Sequence, residues 1–278
     1  MPNHTRPRRS MLYVPGDKPR ALEKARALPC DGVILDLEDA VAPENKAAAR
    51  TGIAHAVRAG FGGREVILRV SAPDCAKDFA LAERLAIDGV LLPKVESADT
   101  VRAATARTRH PIWCMIETPL GVLRAEAIAA AGAAGLVAGT NDLAKDLRAR
   151  HVPGRAPLLT SLSLILLAAR AHGLPALDGV HLGLDDLAGF EAICRQGVEL
   201  GFDGKTLVHP GTIDIANQVF APSPEDVAHA REVVAAWEQA RAEGKGVARI
   251  GGAMVEQLHV DEALRVIATA EAIENRYV

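Results

Sequence analysis

The sequence predicts an α/β fold, a (β/α)8 TIM barrel with a C-terminal helical extension, and three observations carry that prediction. The chain has 278 residues and 49% hydrophobic content, enough for one large core, and a barrel of this type typically takes about 250 residues. Short β-branched apolar runs alternate with longer helical patterns along its length, the mark of βα units on a parallel sheet. Eight such units follow one another, and eight close into a barrel where an open doubly wound sheet usually needs fewer.

Each unit has its own signature. The apolar run Ser-Met-Leu-Tyr-Val predicts a first strand at 10–14, followed by a helix at 20–28. Gly-Val-Ile-Leu-Asp-Leu at 32–37 leads into a helix at 44–59, and Glu-Val-Ile-Leu-Arg-Val at 65–70 into one at 79–86. The fourth strand, 90–95, precedes a helix at 98–107, and the fifth, 112–117, precedes one at 125–131. A sixth strand at 135–138 is paired with a helix at 158–172, a seventh at 176–182 with 187–200, and an eighth at 205–208 with 213–220. That last helix runs into Ala221-Pro222-Ser223-Pro224, where proline stops it and Ser223 is placed to cap the next. A long helix is expected at 224–243, then a flexible glycine-rich passage through Gly244 and Gly251-Gly252, then a final helix at 261–275. The division predicted is a catalytic barrel, 1–221, and a helical extension, 222–278, which a barrel does not need and which is expected to pack on a neighbouring subunit.

Composition excludes several functions. A formal charge of -3 leaves no clustered positive surface for releasing counterions from nucleic acid. Cys30, Cys75, Cys114 and Cys194 are widely spaced and show no zinc-type pairing, so they are expected to be free thiols in a reducing cytoplasm. The opening MPNHTRPRRS is basic but leads into no apolar run of signal-peptide or membrane length, which predicts a soluble cytoplasmic protein with no membrane partner. Asn3-His4-Thr5 fits a glycosylation sequon, a three-residue match that chance supplies often.

Barrel enzymes work where strands end at the C-terminal face, so polar residues at those ends are the candidates. Glu117 closes the apolar run of the fifth strand and Asp142 closes the sixth, so two carboxylates from adjacent strands converge. Hard oxygen ligands without cysteine suit Mg2+ or Mn2+, an ion that keeps waters and lets a substrate complete its octahedron; the alternative is that each carboxylate caps a helix or pairs with a lysine. Arg69 sits inside Val-Ile-Leu-Arg-Val, where an unpaired charge would be costly. Its guanidinium suits a substrate carboxylate bidentately, or else a salt bridge to Asp36 or Glu38. Asp36, Glu38, Asp39 and Lys94 are expected to orient Arg69 and the metal's waters. Lys94 fits ion pairing better than Schiff-base chemistry, and Asp178, His181 and His209 are further polar residues on the seventh and eighth strands.

Five strings appear in order over nearly the whole chain: SMLYVPG from Ser10, VILDLEDAV from Val33, LPKVES from Leu92, MIET from Met115 and VHP from Val208. Together they resemble the citrate lyase β-subunit family of the HpcH/HpaI aldolase and malyl-CoA or citramalyl-CoA lyase superfamily. The resemblance implies a homotrimeric or hexameric barrel that cleaves a 3-hydroxyacyl-CoA thioester to acetyl-CoA and a small 2-oxo acid. It also implies metal ligation by Glu117 and Asp142, carboxylate binding by Arg69, and CoA contacts by Tyr13, Arg20 and Lys24. The family's catalytic aspartate, in an M-[VI]-D motif, corresponds here to Glu256 in Met254-Val255-Glu256, one methylene longer, with Asp261 a second acid nearby. A thioesterase acting on the same CoA esters is one alternative, and a β subunit active only in a citrate lyase complex with an acyl-carrier protein is another. A CoA-independent pyruvate aldolase is a third.

Overall fold

The computed structural model describes residues 6–275; the sequon at Asn3-His4-Thr5 lies outside them. Eight parallel strands close on themselves in chain order: β1 (Ser10–Pro15), β2 (Gly32–Asp36), β3 (Glu65–Arg69), β4 (Gly89–Leu92), β5 (Ile112–Ile116), β6 (Gly135–Ala138), β7 (Ala176–Asp178) and β8 (Gly204–Leu207). Each strand pairs with its sequence neighbour, and β8 returns to β1 with Thr206 beside Met11. The helices between them are α1 (Pro19–Ala25), α2 (Lys46–Ala59), α3 (Ala76–Ala82), α4 (Ala98–Thr105), α5 (Pro119–Leu123), α6 (Ala125–Ala130), α7 (Thr140–Asp146), α8 (Leu159–Ala171), α9 (Leu187–Leu200) and α10 (Ile213–Val219). The (β/α)8 architecture predicted from the sequence is therefore the one the chain adopts.

Alternation along the strands divides the core in two. Met11, Ile34, Ile67, Leu91, Met115 and Val137 fill the barrel, while the intervening Leu12, Val33, Leu68, Leu92, Cys114 and Leu136 face the helix layer. Burying each such side chain contributes about 1.5–3 kcal/mol. At the N-terminal end of the barrel the indole of Trp113 fills the space left by two glycines. A Cβ on Gly135 would collide with the ring, and one on Gly89 would come within 3.0 Å of it. Arg8 stacks over this indole at 5.1 Å and pairs with Glu65 at 2.6 Å. That end is plugged, so chemistry belongs to the other.

The chain forms two compact units, Arg8–Phe220 and a second from Ala221 onward. In the second, Ser223 caps α11 (Pro224–Ala242) through a capping box with Asp226, and α12 (Gln257–Asn275) packs on α11 around Val233, Trp237 and Val260. The passage expected to be flexible is instead a hairpin of β9 (Ala248–Ile250) and β10 (Ala253–Val255), turned by Gly251 and Gly252 at φ 56° and 87°. Among the described residues no helix is long and apolar enough to cross a membrane.

Three sequence boundaries at the C-terminal ends of the strands need correction. β4 stops at Leu92, because Lys94 adopts φ 50° and leaves the strand. β7 stops at Asp178, so His181 lies in the following loop and not on a strand. Asp142 does not close β6; Gly139 ends that run and Asp142 occupies the first turn of α7, a short helix in a stretch where the sequence pattern predicts none.

Candidate active site

At the C-terminal end of the barrel a network of ionised side chains is built outward from Arg69. This residue ends β3 and is nearly buried, and its Nε and Nη2 donate to the two oxygens of Asp36, each at 2.7 Å. Nη1 lies 2.9 Å from Glu38 Oε2. Asp36 is itself fixed, accepting the backbone N–H groups of Glu38 at 2.8 Å and Ala40 at 3.2 Å. Such bidentate, fully hydrogen-bonded pairing is what lets a guanidinium be buried without a large penalty. Both partners foreseen for Arg69 within the protein are thus present.

The phenol ring of Tyr13 lies 4.7 Å from the Arg69 guanidinium, and its hydroxyl donates to Met115 Sδ at 3.8 Å. Burial raises the Tyr13 pKa well above the ordinary range, and the Asp36, Glu117 and Glu38 carboxylates add to that against the opposing pull of Arg69. The hydroxyl stays protonated and is a donor.

Glu117 follows β5 directly and is buried at 3% exposure. The absence of a side chain at Gly139 makes room for it, since a Cβ there would lie 2.6 Å from Glu117 Oε2. Oε1 accepts the backbone N–H of Lys94 at 2.8 Å, a direction set by the left-handed φ of 50° at Lys94, uncommon for a residue other than glycine. Burial pushes the Glu117 carboxyl up to about 7; the Lys94 N–H and the Arg69 charge oppose this, while the Glu38 and Asp142 charges reinforce it. The Lys94 ammonium closes the network, 2.8 Å from Glu38 Oε1, 3.7 Å from Asp142 Oδ2 and 3.9 Å from Asp39 Oδ1. Burial also raises the Glu38 carboxyl above its usual range, although Arg69 works against it.

These residues fit a hard divalent cation. Glu117 is a buried carboxylate raised by its burial, Asp142 is a quarter exposed and close enough to act on its charge, and Gly139 leaves the space Glu117 needs. Among the described residues no cluster of three or more aspartate, glutamate, histidine or cysteine side chains forms a ready cage. Two protein carboxylates with the remaining positions left to water and substrate is the arrangement magnesium favours.

The other sequence candidates make no hydrogen bond or ion pair in this network. Arg20 and Lys24 are exposed on α1. Glu256 belongs to the second compact unit, where it is exposed and its backbone N–H donates to His259 Nδ1 at 3.0 Å. His209 caps the turn after β8 by accepting the Gly211 N–H at 3.1 Å, and His181 lies beside it in a small cavity lined also by Phe190 and Thr212.

Asp178 is part of a second charged cluster, which the sequence pattern does not reveal. It faces the helix layer, and Lys205 from β8 donates to it at 2.8 Å and Arg155 at 2.7 Å. Lys205 and Asp178 are wholly buried. Lys205 stands in Gly-Lys-Thr-Leu as Arg69 stands in its own apolar strand, the one signal that could have pointed to it.

Comparison with known proteins places this geometry in context. The family model for HpcH/HpaI aldolase/citrate lyase matches residues 9–210. The chain is 46% identical to a (3S)-malyl-CoA thioesterase of Cereibacter sphaeroides, covering 98% of each chain. It is 37% identical to citrate lyase subunit beta of Escherichia coli, covering 96% of this chain and 94% of that one. Among solved structures it is similar to the CitE protein of Mycobacterium tuberculosis in complex with magnesium, acetoacetate and coenzyme A, with TM-score 0.78, 32% identity and coverage of 94% and 97%.

Proposed function

The chain belongs to the HpcH/HpaI aldolase/citrate lyase family, and from that premise we propose that it is a magnesium-dependent carbon–carbon lyase acting on a 3-hydroxyacyl-CoA thioester of the malyl or citramalyl type. One observation carries the reading: Glu117 and Asp142 are both engaged by Lys94, while Glu38 joins Lys94 to the buried guanidinium of Arg69. The magnesium-bound complexes of the Mycobacterium tuberculosis relative support the choice of ion.

Glu117 and Asp142 would hold the ion, which when bound supplies Lewis-acid polarisation of the oxygen on the carbon that becomes the oxo group. Arg69 binds the substrate carboxylate on its Nη1 side, where Glu38 now rests, while Asp36 keeps the opposite edge of the guanidinium fixed. Cleavage passes the proton of the 3-hydroxyl to solvent and breaks the bond between C2 and C3. The electron pair passes into the thioester enolate, whose carbon then takes a proton. Glu256, at the family's aspartate position, is the proposed acid for that proton, and Tyr13, Arg20 and Lys24 are the proposed contacts for CoA. Packing of the 222–278 extension against a neighbouring copy belongs to the same proposal.

A second reading, hydrolysis, is favoured by the 46% identity to a named malyl-CoA thioesterase. Water would add to the thioester carbonyl, the carbon–sulfur bond would break, and CoA would leave as the thiol. Incubating the purified chain with malyl-CoA or citramalyl-CoA and Mg2+ and identifying the products by mass separates the two. Acetyl-CoA with glyoxylate or pyruvate is the expected result; free CoA with intact malate or citramalate would replace the lyase reading with the hydrolase. No turnover without an acyl-carrier protein would replace both with a subunit of a larger complex.

A further inference from the structure

Lys94 touches both carboxylates of the proposed metal site, and the role inferred for it rests on that reading of the site. Its backbone N–H donates to Glu117 Oε1 at 2.8 Å, and its ammonium lies 3.7 Å from Asp142 Oδ2. Five carboxylates, those of Asp36, Glu38, Asp39, Glu117 and Asp142, face Arg69 and Lys94, with the largely exposed Lys145 a third cation beside Asp142 at 3.5 Å. Arg69 and Lys94 differ in freedom. Arg69 is buried and clamped by Asp36, whereas the Lys94 side chain is 48% exposed.

We propose that Lys94 is a built-in stand-in for the divalent cation, its ammonium neutralising Asp142, Glu38 and Asp39 in the metal-free protein and withdrawing from Asp142 onto Glu38 when magnesium arrives. An ammonium already within 3.7 Å of Asp142 would face strong like-charge repulsion from a divalent ion ligated by that carboxylate. Its closest partner, Glu38 at 2.8 Å, gives it a place to remain. The withdrawal needs only rotation of a half-exposed side chain, and the backbone N–H keeps its hold on Glu117 throughout. Metal entry is then an exchange of cations. Glu38 and Asp142 each have a cation beside them before and after the exchange, and affinity for the ion is lower than the carboxylates alone would give.

The test is a calorimetric Mg2+ titration of the full chain in wild-type, Lys94→Met, Lys94→Gly, Lys145→Met and Glu117→Gln forms. Lys94→Gly keeps the N–H that binds Glu117 and suits the left-handed backbone, so it separates the ammonium from the main chain. Lys145, 3.5 Å from the other oxygen of Asp142 but 68% exposed, measures the general effect of removing a nearby positive charge. Both Lys94 variants are expected to bind Mg2+ about tenfold more tightly, with Lys145→Met changing affinity by less than about twofold. The rise in melting temperature on adding Mg2+ should also be larger in the Lys94 variants. Unchanged or weaker binding in both, or equal tightening in Lys145→Met, would overturn the proposal. A wild type that takes no Mg2+, or a Glu117→Gln variant that binds it as well as wild type, would sink the metal reading itself. A wild type that binds through Glu117, with Lys94 variants no tighter, would sink the exchange alone.

Discussion

Inside the barrel mouth, Asp36, Glu38, Asp39, Glu117 and Asp142 surround Arg69 and Lys94; outside the barrel wall, Asp178 is shared by Lys205 and Arg155. Each cluster is anchored on a charged residue that ends a strand, Arg69 on β3 and Asp178 on β7, yet their charge sums have opposite signs. The outer cluster holds its carboxylate ionised: burial works against it, but Lys205 and Arg155 together keep the Asp178 carboxyl below its usual range. In the inner cluster burial raises Glu117 to about 7, and the Lys94 N–H and the Arg69 charge do not offset it. The outer cluster is sealed, with Asp178 and Lys205 at 0% exposure and Arg155 buried, whereas the inner one includes half-exposed Lys94 and quarter-exposed Asp142. A buried network whose carboxylate is paired on both sides serves the fold, and one that is rich in carboxylates and opens to solvent invites a ligand.

The comparison breaks first at Glu117. Glu117→Gln should cost on the order of 10³-fold in turnover and abolish the Mg2+ requirement for whatever remains, measured by steady-state kinetics against metal concentration; near-normal, metal-dependent turnover would dissolve the distinction. Lys205→Met probes the other side. It leaves Arg155 as the one cation on Asp178 and should destabilise the fold by about 3–5 kcal/mol in chemical denaturation, while the protein that remains folded binds Mg2+ as before. Loss of metal affinity at unchanged stability would mean that the outer cluster is part of the site.

A pH series sharpens the contrast. The folded Glu117 value lies above the ordinary 4.5, so the metal-free fold retains a proton that the unfolded chain has released. Its contribution to stability is fully present below 4.5, declines as pH rises and levels off above about 7. Since the cation takes the ionised carboxylate, Mg2+ affinity should fall about tenfold per pH unit below that value and plateau above it. Titration at stepped pH checks this, and a flat profile would contradict it. The smallest effect is expected far from both clusters. Gly135→Ala should cost about 1–3 kcal/mol by crowding Trp113, visible as a lowered melting temperature, with Mg2+ binding untouched.

Much of this is legible in the sequence because period-two alternation and charges inside apolar runs are local signals. Arg69 in Val-Ile-Leu-Arg-Val and Glu117 after Cys-Met-Ile announce themselves, and the strands around them lie within a residue or two of where the pattern puts them. What escapes depends on contacts between distant segments. Arg155 reaches Asp178 across 23 positions, and no local pattern near either residue indicates that. The helix at Thr140–Asp146 is seven residues long and its N-cap is Gly139, which offers no side-chain cap, so its start carries no chemical mark. The β9–β10 hairpin is hidden because its paired glycines read equally well as a loose passage or a turn.

Trp113 lies in the plugged end of the barrel and Trp237 in the core of the second compact unit, and the chain has only these two tryptophans. Each unit therefore carries its own intrinsic fluorophore. Replacing either one with phenylalanine yields a protein whose emission follows a single unit during denaturation, so whether the barrel and its helical appendage melt together or in sequence is readable with a spectrofluorimeter and no added label.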